Sequence, residues 1–467
     1  LQFGWQPTRY LTTTIETASI VPLPCSILHR RMTLSAPHPV SLGARLLVPL
    51  ALCVLLCAWA PAPASARRRL IPSVVPSAAA RGSAQYPSGA NRPAIRARPG
   101  QFAHAAKTPS LHGNPARALL AFRTMQKNFY IQGTGLYKGE PYSFLWPFSQ
   151  AMAATVSLAY IPGQSKGLAH ELRVRMYGLE RYLETPSASS ASEPSASPAL
   201  PSFAGSVAPP IGPGGASYYD DNEWVGIELA RIYEFDHEAF ALEQAKQIMA
   251  FVMSAWKTTG PAGKPLACPG GVPFSNSPSN SSRNTVTDGP GAELAVQLYR
   301  ITGEAQYLQF ARMAYAWVRQ CLLGSEGLYA DHIQNGGEVE PMVWSYNQGS
   351  MMGAGALLYQ ATGDGAYLYE ARQTARAALA HFSLEKLELE NPFFVSVYYR
   401  NLLYLDSITH DPPGVKAVQA YVNYAWQNLR LSNNLFVSGS PSTSTLLGQA
   451  AMVQLYALLC IPAGNYF

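Results

Sequence analysis

The links between helical segments alternate between short and long, and this alternation constrains the fold more than any other feature. From residue 115 onward apolar residues recur with the 3.6-residue period of a helix. The segments are 115–129, 148–159, 166–183, 221–233, 237–256, 288–301, 305–321, 346–361, 365–380, 394–406, 413–428 and 444–459. No convincing set of strands interrupts them, which argues against an α/β fold. Links after the even-numbered segments are short: 160–165, 234–236, 302–304, 362–364 and 407–412. Links before them are mostly long: 130–147, 184–220, 257–287, 322–345, 381–393 and 429–443. If each short link folds its two helices into a hairpin, the long links all gather at one end. Six such hairpins closing into a ring make an all-α (α/α)6 barrel, even helices inside and odd helices outside. Long loops on one face of a rigid scaffold carry function. The expected site therefore lies where the inner helices begin, near Phe148, Asp221, Asp288, Tyr346, Phe394 and Ser444.

A degenerate repeat supports the pairing. LARIYEFDHEAF, LAVQLYRITGEAQYLQF and LLYQATGDGAYLYEA each carry a helix, a short turn and a second helix. Tyr233, Tyr299 and Tyr359 sit near the ends of the first helices, 66 and 60 residues apart. Gly303 and Gly363 stand where a glycine would end a helix in the left-handed conformation.

Charge divides the chain in two. The net charge of +6 would suggest a nucleic-acid partner if it were spread evenly. Residues 1–114 carry 12 Lys and Arg and one acid, Glu16, whereas 115–467 carry 22 basic and 27 acidic residues. The body lacks a basic stripe interleaved with aromatics, so no nucleic-acid partner is expected. Upstream, Met32 is a plausible start. Leu46–Ala60 is a run of fifteen mostly apolar residues, short of the roughly 20 that span a membrane. Ala64-Ser65-Ala66 follows as a small-residue cleavage site. The expectation is a signal peptide within 1–66, a disordered Ala/Pro/Ser/Arg-rich linker over 67–114 and a folded domain over 115–467. Arg67-Arg68-Arg69 keeps an uncleaved anchor as the alternative, and with it the only membrane contact expected. The protein is expected to be secreted or cell-surface, and monomeric. The Ser/Pro-rich part of 184–216 reads as a mobile insertion or disorder. Cys268, Cys321 and Cys460 allow at most one disulfide in the body, with no spacing that suits zinc. No metal or other cofactor is called for.

The strongest chemical signal is SYYDDNEW, Ser217 to Trp224, where a long loop meets an inner helix. Glycoside hydrolysis needs two carboxyl groups, and Asp220 and Asp221 supply them side by side. Tyr219 offers a flat apolar face for a sugar ring, and Asn222 offers hydrogen bonds. The bland reading is a helix cap, with Asp220 and Glu223 spaced as a capping box. Other inner-helix starts add Trp146, Asn284, Trp344, Tyr346, Asn347 and Gln348, all aromatics or neutral amides. Asp288 and Asn347 also fit helix caps, and Gly349 and Gly353 fit close helix packing. Arg283 is the one evident cation on this face, and His332 is a histidine in one of its long loops.

YYDDNEW, RNTVTDGP and WSYNQGSMMGAGALLYQATGD, in this order, resemble glycoside hydrolase family 76 over roughly 115–460. Three positions differ from the family pattern: Glu223 stands where alanine is common, Asp288-Gly289 replaces Asn-Gly, and NPFFVS at 391–396 lacks a lysine. The resemblance implies an (α/α)6 barrel, a polysaccharide or oligosaccharide substrate containing α-1,6-linked mannose, and retention of configuration. Carried over to this chain, it makes Asp220 the nucleophile and Asp221 the general acid/base. The alternatives are another (α/α)6 sugar enzyme, such as an unsaturated-glucuronide hydrolase or an epimerase, and a carbohydrate-binding protein without activity. A nuclease using the Asp pair is more remote.

Overall fold

The computed structural model describes residues 113–184, 200–260, 263–437 and 443–467. The signal-peptide and anchor readings, and the linker up to residue 112, lie outside these residues. Among the described residues, no helix is long and apolar enough to cross a membrane.

In the described residues, twelve long helices and one single-turn helix follow in order. They are α1 (Asn114–Phe129), α2 (Leu145–Ala159), α3 (Ser165–Leu179), α4 (Tyr219–Asp236), α5 (Ala239–Ser254), α6 (Thr285–Thr302) and α7 (Ala305–Leu322). Then come α8 (Ser345–Thr362), α9 (Gly365–His381), the single turn α10 (Leu384–Leu387), α11 (Pro392–Thr409), α12 (Pro413–Tyr424) and α13 (Leu446–Leu458). A π-helical turn, Ala425–Leu429, extends α12.

Helices α2, α4, α6, α8, α11 and α13 pack each on the next, and α13 closes back on α2. The other long helices form the outer layer: α3, α5, α7, α9 and α12 each lie on their hairpin partner, and α1 lies against α13. The expected (α/α)6 barrel is therefore the observed fold. The inner helices are buried on every side: α8 is buried from Ser345 through Leu358 without a break. The outer helices bury one stripe, as in α7, where Tyr307, Phe310, Ala311, Ala314, Tyr315 and Val318 turn inward. Close inner packing needs glycine in places. A Cβ on Gly349 would lie 2.7 Å from the Tyr398 Cα on α11.

The short links form one end of the barrel, and their geometry follows the repeat. Gly303 and Gly363 adopt φ of 73° and 71° and donate their N–H to the carbonyls of Tyr299 and Tyr359. His237 holds the same left-handed position, donating to Tyr233. The long links meet at the other end, the mouth, and carry small sheets that the sequence did not announce. Strands β1 (Leu183–Glu184) and β2 (Ser202–Phe203) pair antiparallel, as do β3 (Ser282–Asn284), β4 (His332–Gln334) and β5 (Val339–Glu340) in that order.

The expectation of a mobile insertion in the Ser/Pro-rich part of 184–216 needs correction only for the described residues from 200 onward. Residues 185–199 lie outside the described ones, but 200–216 pack firmly. Phe203 and Val207 are buried, the Gly205 N–H donates to the Ala216 carbonyl, and Ser202 and Ser217 share a hydroxyl hydrogen bond. Burial of these apolar side chains outweighs the Pro/Gly composition. A disulfide, Cys268–Cys321, ties the loop before α6 to the end of α7.

Candidate active site

Helix α4 begins at Tyr219, with Tyr218 in extended conformation as its N-cap and no side-chain cap. Asp220 and Asp221 therefore lie within the first turn. Asp220 Oδ1 accepts the Asp221 N–H at 2.9 Å. Glu223 is fully buried, and neither of its carboxyl oxygens has a hydrogen-bond partner among the described residues. The capping-box alternative is thus not realised: no reciprocal bond joins Asp220 and Glu223 across the helix start.

No ion pair reaches Asp220 or Asp221 among the described residues. Burial is the main reason that the Asp220 carboxyl is pushed up to about 7; the Asp221 N–H opposes the rise and Asp331 adds to it. Burial, then the neighbouring Asp220, hold Asp221 well above the ordinary carboxylate range. Burial and the two aspartates also raise the Tyr218 phenol.

An aromatic wall stands beside the pair. Tyr346, at the second position of α8, stacks on Phe394 with ring centroids 4.1 Å apart. Trp344 tilts against Phe394 at 5.4 Å, and Trp146 stacks on it at 6.4 Å. Phe393 lies behind, touching Trp146, Trp224 and Tyr346 at 5.3, 5.6 and 6.3 Å. Burial, Asp331, Asp220 and Glu390 all raise the Tyr346 phenol, which ties the wall to the Asp pair. Trp146, Trp344 and Tyr346 are thus gathered at one mouth, as the loop pattern implied.

Other expected contacts are turned elsewhere. Tyr219 stacks on Phe251 of α5 at 4.5 Å and leaves the mouth; Tyr218 faces the Asp pair instead. Asn222 is fully buried and bonds the Phe203 N–H and carbonyl and the Tyr218 carbonyl, so its amide is spent on the loop before α4. Gln348 does the same before α8, accepting the Tyr329 N–H at 2.8 Å and donating to the Tyr329 and Trp344 carbonyls. Asn284 is buried and accepts the Ser282 hydroxyl at 2.9 Å. Arg283 is buried as well, its guanidinium donating to the carbonyls of Ala267, Cys268 and Gly270. Asn222, Gln348 and Arg283 are thus engaged with backbone, Tyr219 packs on Phe251, and Asn284 accepts from Ser282.

A shared device explains two of them. Asn222, Asp288, Gln348 and Gln449 each occupy the fourth position of an inner helix. Each bonds the backbone of the long loop before it, Asp288 through the Val272 N–H and Gln449 through the Phe436 N–H. A side chain one turn into the helix can reach back to the incoming chain and satisfy buried backbone groups.

Asp331 is the residue that sequence reasoning missed. It lies in the loop between α7 and α8. Its Oδ1 accepts the Asn347 amide at 3.2 Å, and its Oδ2 pairs with His332 Nδ1 at 2.9 Å. His332 Nε2 in turn meets the Gln334 amide nitrogen at 3.0 Å. Asn347 thus serves the mouth by holding a third carboxyl beside Asp220, and His332 is engaged in the same chain. An acid next to a histidine of the long loops was the available signal.

Comparison with known proteins agrees with this geometry. Residues 116–394 match the model of glycosyl hydrolase family 76. The mannan endo-1,6-alpha-mannosidase DCW1 of Saccharomyces cerevisiae is 25% identical over 187 residues, covering 35% of this chain and 42% of its own. DFG5 of Candida albicans, described by the same activity, is 25% identical over 190 residues, covering 38% and 42%. The chain thus spans about two-fifths of the length of these curated relatives. Among solved structures, a family 76 glycoside hydrolase from a bovine Bacteroides thetaiotaomicron strain superposes with a TM-score of 0.65 at 24% identity, covering 75% of this chain and 78% of the other. An inactive variant of the alpha-1,6-mannanase GH76A of Salegentibacter, with two adjacent aspartates changed to asparagine and alpha-1,6-mannotriose bound, superposes at 0.58 with 20% identity, covering 74% and 99%. With the family model matching more than half of its length, the chain belongs to glycosyl hydrolase family 76.

Proposed function

We propose that the protein hydrolyses α-1,6-linked mannan with retention of configuration, using Asp220 as nucleophile and Asp221 as general acid/base. The reading rests above all on two adjacent carboxyls, unpaired and uncapping, in the first turn of an inner helix beside an aromatic wall. The named activity of the yeast relatives supports the substrate, and the inactive double-aspartate variant of the Salegentibacter enzyme supports the pair.

In the first step an Asp220 oxygen attacks the anomeric carbon while the glycosidic C–O bond breaks. The leaving oxygen takes the proton of Asp221. In the second step the Asp221 carboxylate removes a proton from water, the water oxygen bonds the anomeric carbon, and Asp220 leaves as carboxylate. The environments suit these roles. Asp220 accepts a backbone N–H in a helix first turn, which favours its charge. Asp221 is buried against that charge and keeps its proton longer. Trp146, Trp344, Tyr346 and Phe394 present apolar faces to sugar rings, and Asp331 presents a carboxylate edge to hydroxyls. Secretion or display at the cell surface fits the Cys268–Cys321 disulfide, since such bonds persist in oxidising compartments.

The test is proton NMR of the products released from α-1,6-mannan. The first-formed reducing sugar should be the α-anomer. A β-anomer would refute retention, and intact mannan would refute the substrate.

A further inference from the structure

One carboxyl of the mouth is left unused by this mechanism. Glu390 stands at the end of the loop between α10 and α11, and it reaches across to the neighbouring hairpin. Its Oε1 accepts the Ser345 N–H at 3.3 Å, and its Oε2 accepts the Ser345 hydroxyl. Ser345 is the first residue of α8, whose own N-cap, Trp344, supplies no side-chain cap. Glu390 therefore caps α8 from outside, at the positive end of the helix dipole; burial pushes its carboxyl up to about 7, with the two Ser345 bonds opposing the rise.

The position of this bond matters more than its strength. Ser345 is flanked in sequence by Trp344 and Tyr346. Phe394 lies four residues beyond Glu390, in the first turn of α11. These three rings meet across the same interface, Tyr346 on Phe394 at 4.1 Å and Trp344 on Phe394 at 5.4 Å. The bridge between Glu390 and Ser345 thus joins two of the chain segments that carry the wall. Neutral phenols, Tyr346, Tyr398 and Tyr421, face the carboxyl from α8, α11 and α12, and no ion pair engages it among the described residues.

We infer that Glu390 is a positioning residue: by latching the start of α8 to the loop before α11, it holds Trp344, Tyr346 and Phe394 in the register that binds sugar. This inference rests on the mannanase reading of the mouth. Glu390 touches no reacting atom, so its loss should alter binding and leave the chemical step intact.

The experiment compares the full-length wild-type chain with E390A, E390Q and S345A on α-1,6-mannan, reading KM and kcat separately, with thermal unfolding of each. E390A should raise KM about tenfold, the scale of one hydrogen bond to a charged group, with kcat within about twofold of wild type. E390Q should restore KM, because its amide oxygen can accept the Ser345 N–H and its amide nitrogen can donate to the Ser345 hydroxyl. S345A keeps the backbone bond and should fall between them; it also serves if E390A does not fold. A lowered unfolding temperature with unchanged KM in E390A would make Glu390 a mere helix cap and overturn the latch. A fall in kcat at constant KM would overturn it equally. Wild type inactive on mannan overturns the mannanase reading and the latch together, whereas active wild type with an unaltered E390A overturns the latch alone.

Discussion

Helix α4 carries buried carboxyls in its first turn and again near its middle, and the two regions are built on opposite rules. At the mouth, Asp220 and Asp221 have each other for neighbours, with Asp331 beyond and, among the described residues, no cation paired to either. Deeper in the barrel, Glu228 accepts Arg231 at 2.7 Å and Arg400 of α11 at 2.8 Å, and Arg400 reaches on toward Glu293 of α6 at 3.9 Å. Where Arg231 and Arg400 answer Glu228, three inner helices are clamped together, although burial still pushes Glu293, farther from Arg400, up to about 8. Where no cation answers, the buried carboxyls are pushed toward protonation. The second arrangement costs stability and leaves a proton available for transfer near neutral pH. Burial of a carboxyl therefore says little by itself; what faces it decides between a brace and a reagent.

The comparison is broken most directly by removing one acid from the mouth. Asp220→Asn should lower kcat on α-1,6-mannan by on the order of 10³-fold or more, without loss of fold by circular dichroism. Retained turnover would return the pair to a structural role. Asp221→Asn should spare aryl mannosides with good leaving groups relative to mannan, because only the poor leaving group needs the proton. The deeper region should respond in stability. Arg400→Met leaves Glu228 and Glu293 short of a buried partner and should cost about 3–5 kcal/mol in denaturant unfolding, with KM of the surviving folded enzyme near wild type.

A third prediction uses the sign of the linkage. Asp220 titrates at about 7 in the folded chain against 3.8 as its ordinary value. Its folded form holds the proton more tightly, so stability is greatest below the ordinary range and is lost as pH rises toward 7. Asp220→Asn should therefore raise the unfolding temperature at pH 8 and much less at pH 4. The same ionisation should put the acid limb of kcat/KM near pH 7. A pH-independent effect of Asp220→Asn on unfolding would break the contrast. The smallest expected effect is on affinity. Tyr346→Ala removes one ring of the wall and should weaken α-1,6-mannotriose binding about tenfold by calorimetry, in the range of one stacking contact on an aromatic face.

Much of this molecule was legible in the chain. Helical period and the alternation of short and long links determined the barrel and the end at which it opens, because both are local or topological properties. The Asp pair stood out for the same reason: adjacent acids before a periodic apolar run are visible without knowing any neighbour. The left-handed caps at Gly303 and Gly363 followed from the repeat. Tertiary structure alone decided what each polar side chain does. Asn222 and Gln348 read as sugar ligands until the loops they fasten are seen, and Tyr218 and Tyr219 exchange roles through a rotation of one residue at the helix start. Asp331 comes from the long loop before α8, Glu390 and Phe394 from the junction of the next long loop with α11, and Glu390 and Phe394 gain their places from partners at the start of α8. Sequence spacing encodes the period of an element, whereas the partner of a buried polar group is set by how separate elements pack, and that is known only once the ring has closed.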